Sequence, residues 1–249
     1  MKPRRLQVFR RQEEAPPAAL RNKLVVLIDV LRACSTLTTA FHAGAKEAWC
    51  FGSVRDVFRA RRAFTDCPLL FCGERNRLAV RGFDLGNSPT DFTTARCAGR
   101  TLLMTTTNGT RALRRTQGAR DVVLGCFLNL SVVTTYLLDR RGDAALLCAG
   151  TEGDVSCDDL ACAGAMAEKL SAHGIALADA SPEAIHVWRA ARKSLRKFLT
   201  ESRGGAPLAR AGLERDIAFC TRRDRFNVVP RLVERRNGFR LAPVHPRAG

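Results

Sequence analysis

No apolar run in this chain approaches the roughly 20 residues that a membrane-spanning helix needs. The basic opening MKPRR leads into no apolar stretch of signal-peptide length. A soluble, cytoplasmic protein is therefore expected. Rings are scarce, with one tyrosine and two tryptophans, which leaves few platforms for stacking bases. Four scattered histidines argue against a His-rich dinuclear centre. The ten cysteines never form Cys-x-x-Cys, and Cys67 and Cys72, like Cys157 and Cys162, are five apart. Zinc sites use tighter pairs, and secreted disulfide scaffolds are shorter and richer in cysteine. Cys50, Cys72 and Cys148 sit inside apolar runs, where a free thiol acts as a small hydrophobe. Reduced, buried thiols are expected.

Acidic residues are in deficit, 24 against 41 basic ones, for a formal charge of +17. Such a balance can bind nucleic acid through phosphate neutralisation. Here the positive charge is nearly all arginine, scattered from Arg4 to Arg247 without a lysine block, zinc-finger spacing or RNP-like motif. Basic residues thicken after Arg189, in RAARKSLRKF, TRRDRF and LVERR. These segments read as solvated helix faces, with a nucleic-acid patch in the C-terminal third as the alternative. No membrane partner is expected, and a homo-oligomer stays open.

What is present is a rhythm. The 249 residues, 46% hydrophobic, suit one large domain or two closely packed lobes. Short apolar runs at 23–29, 47–51, 68–73, 100–107, 121–127 and 143–150 alternate with helix-like stretches near 33–43, 54–64, 110–117, 129–140 and 157–172. That alternation predicts an α/β fold, layered α/β/α with a mainly parallel or mixed sheet. Residues 1–21, with Pro16 and Pro17, read as an irregular arm, and 22–249 as a single domain with its site between lobes if it has two. Beyond Ala178 the pattern predicts a long helix over 182–200, a Gly204–Gly205 break, another helix, and strands near 226–229 and 238–242.

The unusual residues fall where the runs end. Asp29 and Arg32 follow the first, Glu74 and Arg75 the third, and Thr105 to Thr110 (TTTNGT) the fourth; Gly150-Thr151-Glu152-Gly153 follows the sixth. Ligands of open α/β sheets bind at the carboxyl ends of strands. Carboxylates, guanidiniums and hydroxyls gathered there suit a divalent cation with a phosphate. Each element also has a plain reading. Asp29 could cap the next helix, TTTNGT could be an ordinary turn, and Glu74–Arg75 could be a surface pair.

DVLRACST, GERNRLAVRGFDLGNSP, TTTNGTRAL, AGTEG with DDLACAG, and ERDIAFC occur in that order between about Asn22 and Pro230. Together they resemble the 2-phosphosulfolactate phosphatase family. The resemblance implies an α/β fold peculiar to that family and Mg²⁺-dependent hydrolysis of a small acidic phosphate, 2-phosphosulfolactate, to sulfolactate and phosphate. Two departures stand out. Family members often carry a second small residue where Arg77 stands, and the first motif more usually reads ATTT than Ala33-Cys34-Ser35-Thr36.

On that resemblance Asp29, Glu74 and Asp159 are expected to hold Mg²⁺, with Asp29 or Glu74 serving the attacking water. Arg32 and Arg75 are expected to neutralise phosphate and acid groups. Asn87, Ser88, Thr107, Asn108, Gly109 and Thr110 are expected to cradle the phosphoryl oxygens. Other phosphatase chemistries lack their residues. Leu31 stands where an Asp-x-Asp pair would need its second acid, no cysteine has an arginine six residues on, and no Arg-His-Gly occurs. Attack by a positioned water is preferred, with Asp29 as covalent nucleophile the alternative. A non-catalytic anion-binding relative stays open as a second class.

Overall fold

The computed structural model describes residues 4–65, 67–236 and 238–245. Its strands in chain order are β1 (Arg5–Phe9), β2 (Leu24–Ile28), β3 (Glu47–Phe51), β4 (Leu69–Arg75), β5 (Leu78–Ala79), β6 (Thr101–Thr105), β7 (Asp121–Gly125), β8 (Ala144–Cys148), β9 (Ala176–Asp179), β10 (Val229–Glu234) and β11 (Phe239–Val244). Among the described residues they form one 11-stranded sheet, ordered β5-β4-β6-β3-β11-β10-β7-β2-β8-β1-β9. The central runs LVVLI, TLLMT and AALLC are buried at every position, as strands covered on both faces must be. Successive side chains of β2 divide between two cores. Val26 and Ile28 pack with Met166 and Trp188 on one face, and Val25 and Leu27 with Phe41 and Met104 on the other. This is a layered α/β/α arrangement around a mixed sheet.

Strands β7-β2-β8-β1-β9 are mutually parallel, as are β4-β6-β3. The hairpin β10–β11 joins the two blocks through antiparallel pairs with β7 and β3. The blocks therefore run in opposite senses, and in a flat sheet their carboxyl ends would open on opposite edges. Sheet twist of roughly 20–25° per strand pair removes most of that difference across the five pairs from β2 to β6. The helix Ala33–His42, with nine of its ten residues buried, fills the angle and shares one core with both blocks.

Three parts depart from the sequence reading. The arm expected over 1–21 contributes β1, whose Leu6 and Val8 are buried and which pairs with β8 and β9 inside the sheet. Its alternating RLQVF pattern is short and framed by arginines, which hides it; residues 1–3 lie outside the described residues. The helix expected over 182–200 is two, Ser181–Ala191 and Leu195–Glu201, parted before Ser194, a residue type that favours helix starts. The last strands begin and end later than expected, at Val229–Glu234 and Phe239–Val244. All ten cysteines are free, with only Cys157 exposed and Cys67 partly so. Burial pushes the Cys50 thiol up to about 12 and Cys34 well above its ordinary value. Among the described residues no helix is long and apolar enough to cross a membrane.

Candidate functional site

After β2 the chain turns through Val30 and a cis Leu31–Arg32 peptide into the Ala33–His42 helix. Asp29 stands at this turn; Arg32 is the helix N-cap, and Asp29 Oδ1 accepts from the N–H of the first helical residue, Ala33, at 3.0 Å. No hydrogen bond reaches its Oδ2 among the described residues, and that oxygen faces Gly109. Burial, then the nearby charges of Asp158 and Glu74, push its carboxyl up to about 7; the Ala33 N–H and the Arg32 guanidinium pull the other way. Asp29 is thus a buried acid whose negative charge lacks full compensation.

Glu74 comes from the end of β4. Its Oε1 accepts from the Thr107 N–H at 2.8 Å and its Oε2 from the Arg77 N–H at 2.9 Å. One carboxylate thereby fixes both the TTTNGT turn and the β4–β5 hairpin. Gly109 explains how that turn comes so near Asp29. A Cβ there would lie 2.9 Å from the Ala33 Cβ and 3.3 Å from Asp29 Oδ2, so only glycine permits the approach.

A cleft of about 610 Å³, open solvent at its mouth included, lies between these loops. Asp29, Arg32, Glu74, Asn87, Thr107 and Asn108 line it together with Arg77, Glu152, Thr106 and Leu208. Arg32 is buried, giving Nη1 to Asp216 Oδ2 at 2.7 Å and Nη2 to the Arg77 carbonyl at 3.0 Å. The Asn87 carbonyl accepts from the Thr36 hydroxyl at 2.9 Å, while its side-chain Oδ1 is buried without a partner among the described residues. Buried polar atoms are seldom left so.

Five expected site residues do not line the cleft. Arg75 gives Nη1 to the Glu74 carbonyl and Nη2 to the Gly52 carbonyl and the Thr105 hydroxyl, so its guanidinium ties strand ends together. Ser88 donates to Asp216 Oδ1 at 2.5 Å. Gly109 and Thr110 face a small apolar gap beside Cys34 and Met104. Asp159 spends both oxygens on backbone, accepting from the Val30 N–H at 2.8 Å and the Gly150 N–H at 3.2 Å. It positions the Asp29 turn, and burial with the charges of Asp158 and Asp29 pushes its carboxyl well up. Among the described residues no three His, Cys, Asp or Glu side chains gather as a ready metal cage.

Asp216 escaped the sequence reading. Fully buried on the helix Glu214–Cys220, it binds Arg32, Ser88 and, at 3.4 Å, the Thr90 hydroxyl. Its signal was an acid one turn before buried Cys220, on the apolar stripe of ERDIAFC.

Known proteins match this chain over most of its length. The family model for 2-phosphosulpholactate phosphatase matches residues 9–235. A probable 2-phosphosulfolactate phosphatase of Caldanaerobacter subterraneus subsp. tengcongensis is 37% identical over 91% of this chain and 95% of its own length. Proteins of the same description from Thermotoga maritima, 34% identical over 88% and 93%, and Clostridium acetobutylicum, 32% over 85% and 90%, are similar in the same way. The matched span takes in every residue that lines the cleft and the Asp216 helix. This chain belongs to the 2-phosphosulpholactate phosphatase family, a family of phosphoric monoester hydrolases.

Proposed function

We propose that this protein hydrolyses 2-phosphosulfolactate to sulfolactate and phosphate with Mg²⁺ as cofactor, in a cytoplasmic setting that its ten free cysteines suit. The observation that carries the reading is one cleft lined by three carboxylates, Asp29, Glu74 and Glu152, and two guanidiniums, Arg32 and Arg77. Its substrate class follows from the relatives' descriptions.

The donor set fits Mg²⁺, which takes hard oxygens and commonly uses one or two carboxylates with water and substrate phosphate. Asp29 and Glu74 would hold it, and the unpartnered Asn87 Oδ1 offers a third oxygen. Asp159, which does not line the cleft, does not join them. Bound there, the ion would neutralise phosphate charge and ease attack by water.

The chain's own groups do the rest. Arg32 is aimed by Asp216, and two of its five N–H groups are occupied. The others remain for phosphoryl oxygens, where fixed donors stabilise the charge of the transition state. Asp29 Oδ2, free of hydrogen bonds among the described residues, accepts a proton from the attacking water better than Glu74, whose oxygens each hold an N–H. Thr107 cannot lend its N–H to phosphate, because Glu74 already takes it.

A phosphate-release screen over 2-phosphosulfolactate, phospholactate and phenyl phosphate, with Mg²⁺ or with chelator, tests this. Turnover of the phosphorylated acids that stops on chelation and returns with Mg²⁺ is expected. Equal turnover in chelator removes the metal from the proposal, and no release from either acid removes the substrate class.

A further inference from the structure

We propose that Arg77 is the specificity-determining residue of the cleft, reading an acid group on the organic part of the ester, and that Glu152 occupies Arg77 until substrate arrives. The inference rests on the phosphatase reading above. Three arginines stand near the carboxylates, and two are committed. Arg75 is spent on the Glu74 and Gly52 carbonyls and Thr105, and Arg32, held by buried Asp216, keeps its remaining N–H groups for the phosphate in the reading above. Arg77 differs. Its Nη2 meets Glu152 Oε1 at 2.9 Å, with side chains 34% and 59% exposed.

The backbone of Arg77 is held while its side chain is not. Its N–H goes to Glu74 Oε2 and its carbonyl receives Arg32 Nη2. Asn76 and Arg77 both have positive φ, 52° and 70°, and form the two-residue turn between the paired ends of β4 and β5. Arg77 is therefore planted at the cleft by the very groups that line it. Glu152 comes from the opposite wall, in the turn closed by Thr151 and Asp154 after β8, and also lines the cleft. An exposed ion pair contributes little, so a substrate carboxylate or sulfonate can take the place of Glu152 at small cost. A guanidinium then meets a planar or tripodal oxyanion with two N–H groups, leaving Arg32 to the phosphate.

The two partners must then act in opposite directions, which a merely structural bridge would not produce. Wild type, Arg77→Gln, Glu152→Gln and the double variant are assayed with Mg²⁺ on 2-phosphosulfolactate and on phenyl phosphate, which has no second acid. Binding of sulfolactate to each is measured by calorimetry, independently of turnover. Arg77→Gln should raise KM for the acid ester roughly tenfold and weaken sulfolactate to match. Its KM for phenyl phosphate should rise by clearly less than that for the acid ester. Glu152→Gln should lower KM for the acid ester about two- to fivefold and tighten sulfolactate. That gain should vanish in the Arg77→Gln background, since a general charge effect would persist there. Shifts of the same sign in both single variants, or equal losses on both esters in Arg77→Gln, overturn the proposal. Should wild type release no phosphate, the phosphatase reading fails by itself. Opposite shifts in sulfolactate affinity would still uphold acid recognition by Arg77, and their absence would sink it.

Discussion

At the scale of single residues, the site is a balance of buried charge. Asp29 is held near 7 by burial beside Asp158 and Glu74, whereas an unfolded chain would ionise it near the ordinary carboxylate value of roughly 4. Its folded form binds the proton more tightly, so the stability this confers is present in acid and lost as pH rises through about 7. Asp29→Asn keeps an oxygen for the Ala33 N–H and removes the charge. In chelator at pH 8 this variant should be more stable than wild type by on the order of 2–4 kcal/mol, and the two should converge toward pH 4. Its turnover should nonetheless fall on the order of a hundredfold or more. Calorimetric melts at both pH values, beside phosphate release at saturating Mg²⁺, measure the two effects. A variant less stable than wild type at pH 8 would show that Asp29 is not the uncompensated charge. That Asp29 and Glu74 share one cleft was legible because each acid ends an apolar run. Arg75 and Asp159 do not line it, which was not legible because sequence order does not reveal whether a side chain turns to the cleft or to neighbouring backbone.

At the scale of elements, the runs of uniformly apolar residues made β2, β6 and β8 readable, and their polar ends marked the cleft. The close approach of β4 to β6 was not readable, though Glu74 depends on it. Gly73 has φ +143°, and a Cβ there would lie 2.1 Å from the Thr105 carbonyl oxygen. Glycine thus lets β4 lie against β6 at the residue before Glu74, so that the carboxylate reaches the Thr107 N–H. Gly99 also has positive φ, at +71°, but a Cβ there meets nothing within 4 Å. Gly99→Ala should cost about 1 kcal/mol of backbone strain and leave turnover intact. Gly73→Ala should cost more than about 3 kcal/mol and lose turnover as Glu74 moves. Denaturant midpoints and phosphate release on the pair decide it. Equal costs, or a fully active Gly73→Ala, would mean that β4–β6 pairing does not set the carboxylate.

At the scale of the whole molecule, the order of the sheet departs most from the order of the chain. The last strands made, β10 and β11, lie at its middle and join the two parallel blocks. No periodicity announces this, because the hairpin's own pattern is half-exposed. Two of its arginines are paired to acids of other elements: Arg231 reaches Asp121 at 2.8 Å and Arg240 reaches Glu47 at 2.7 Å. Part of the basic C-terminal third is thus committed to holding the sheet. The hairpin region also buries Val228, Val229 and Leu241 in the shared cores and gives the Val228 carbonyl to Asn129 Nδ2 at 3.1 Å. A chain ending at Arg225 would leave the edges of β3 and β7 open beside apolar surface, the arrangement that invites edge-to-edge association. One cluster spans Leu27 of β2 and Met104 of β6, so the two blocks share the core on that face, whatever each buries on its own. The shortened chain should therefore melt without cooperativity and elute as aggregate, although every residue lining the cleft is still present. Size-exclusion chromatography with thermal circular dichroism measures both. A monomeric fragment with a sharp melt would make the hairpin an appendage, and the two blocks would then have to close the Asp29–Glu74 cleft without it.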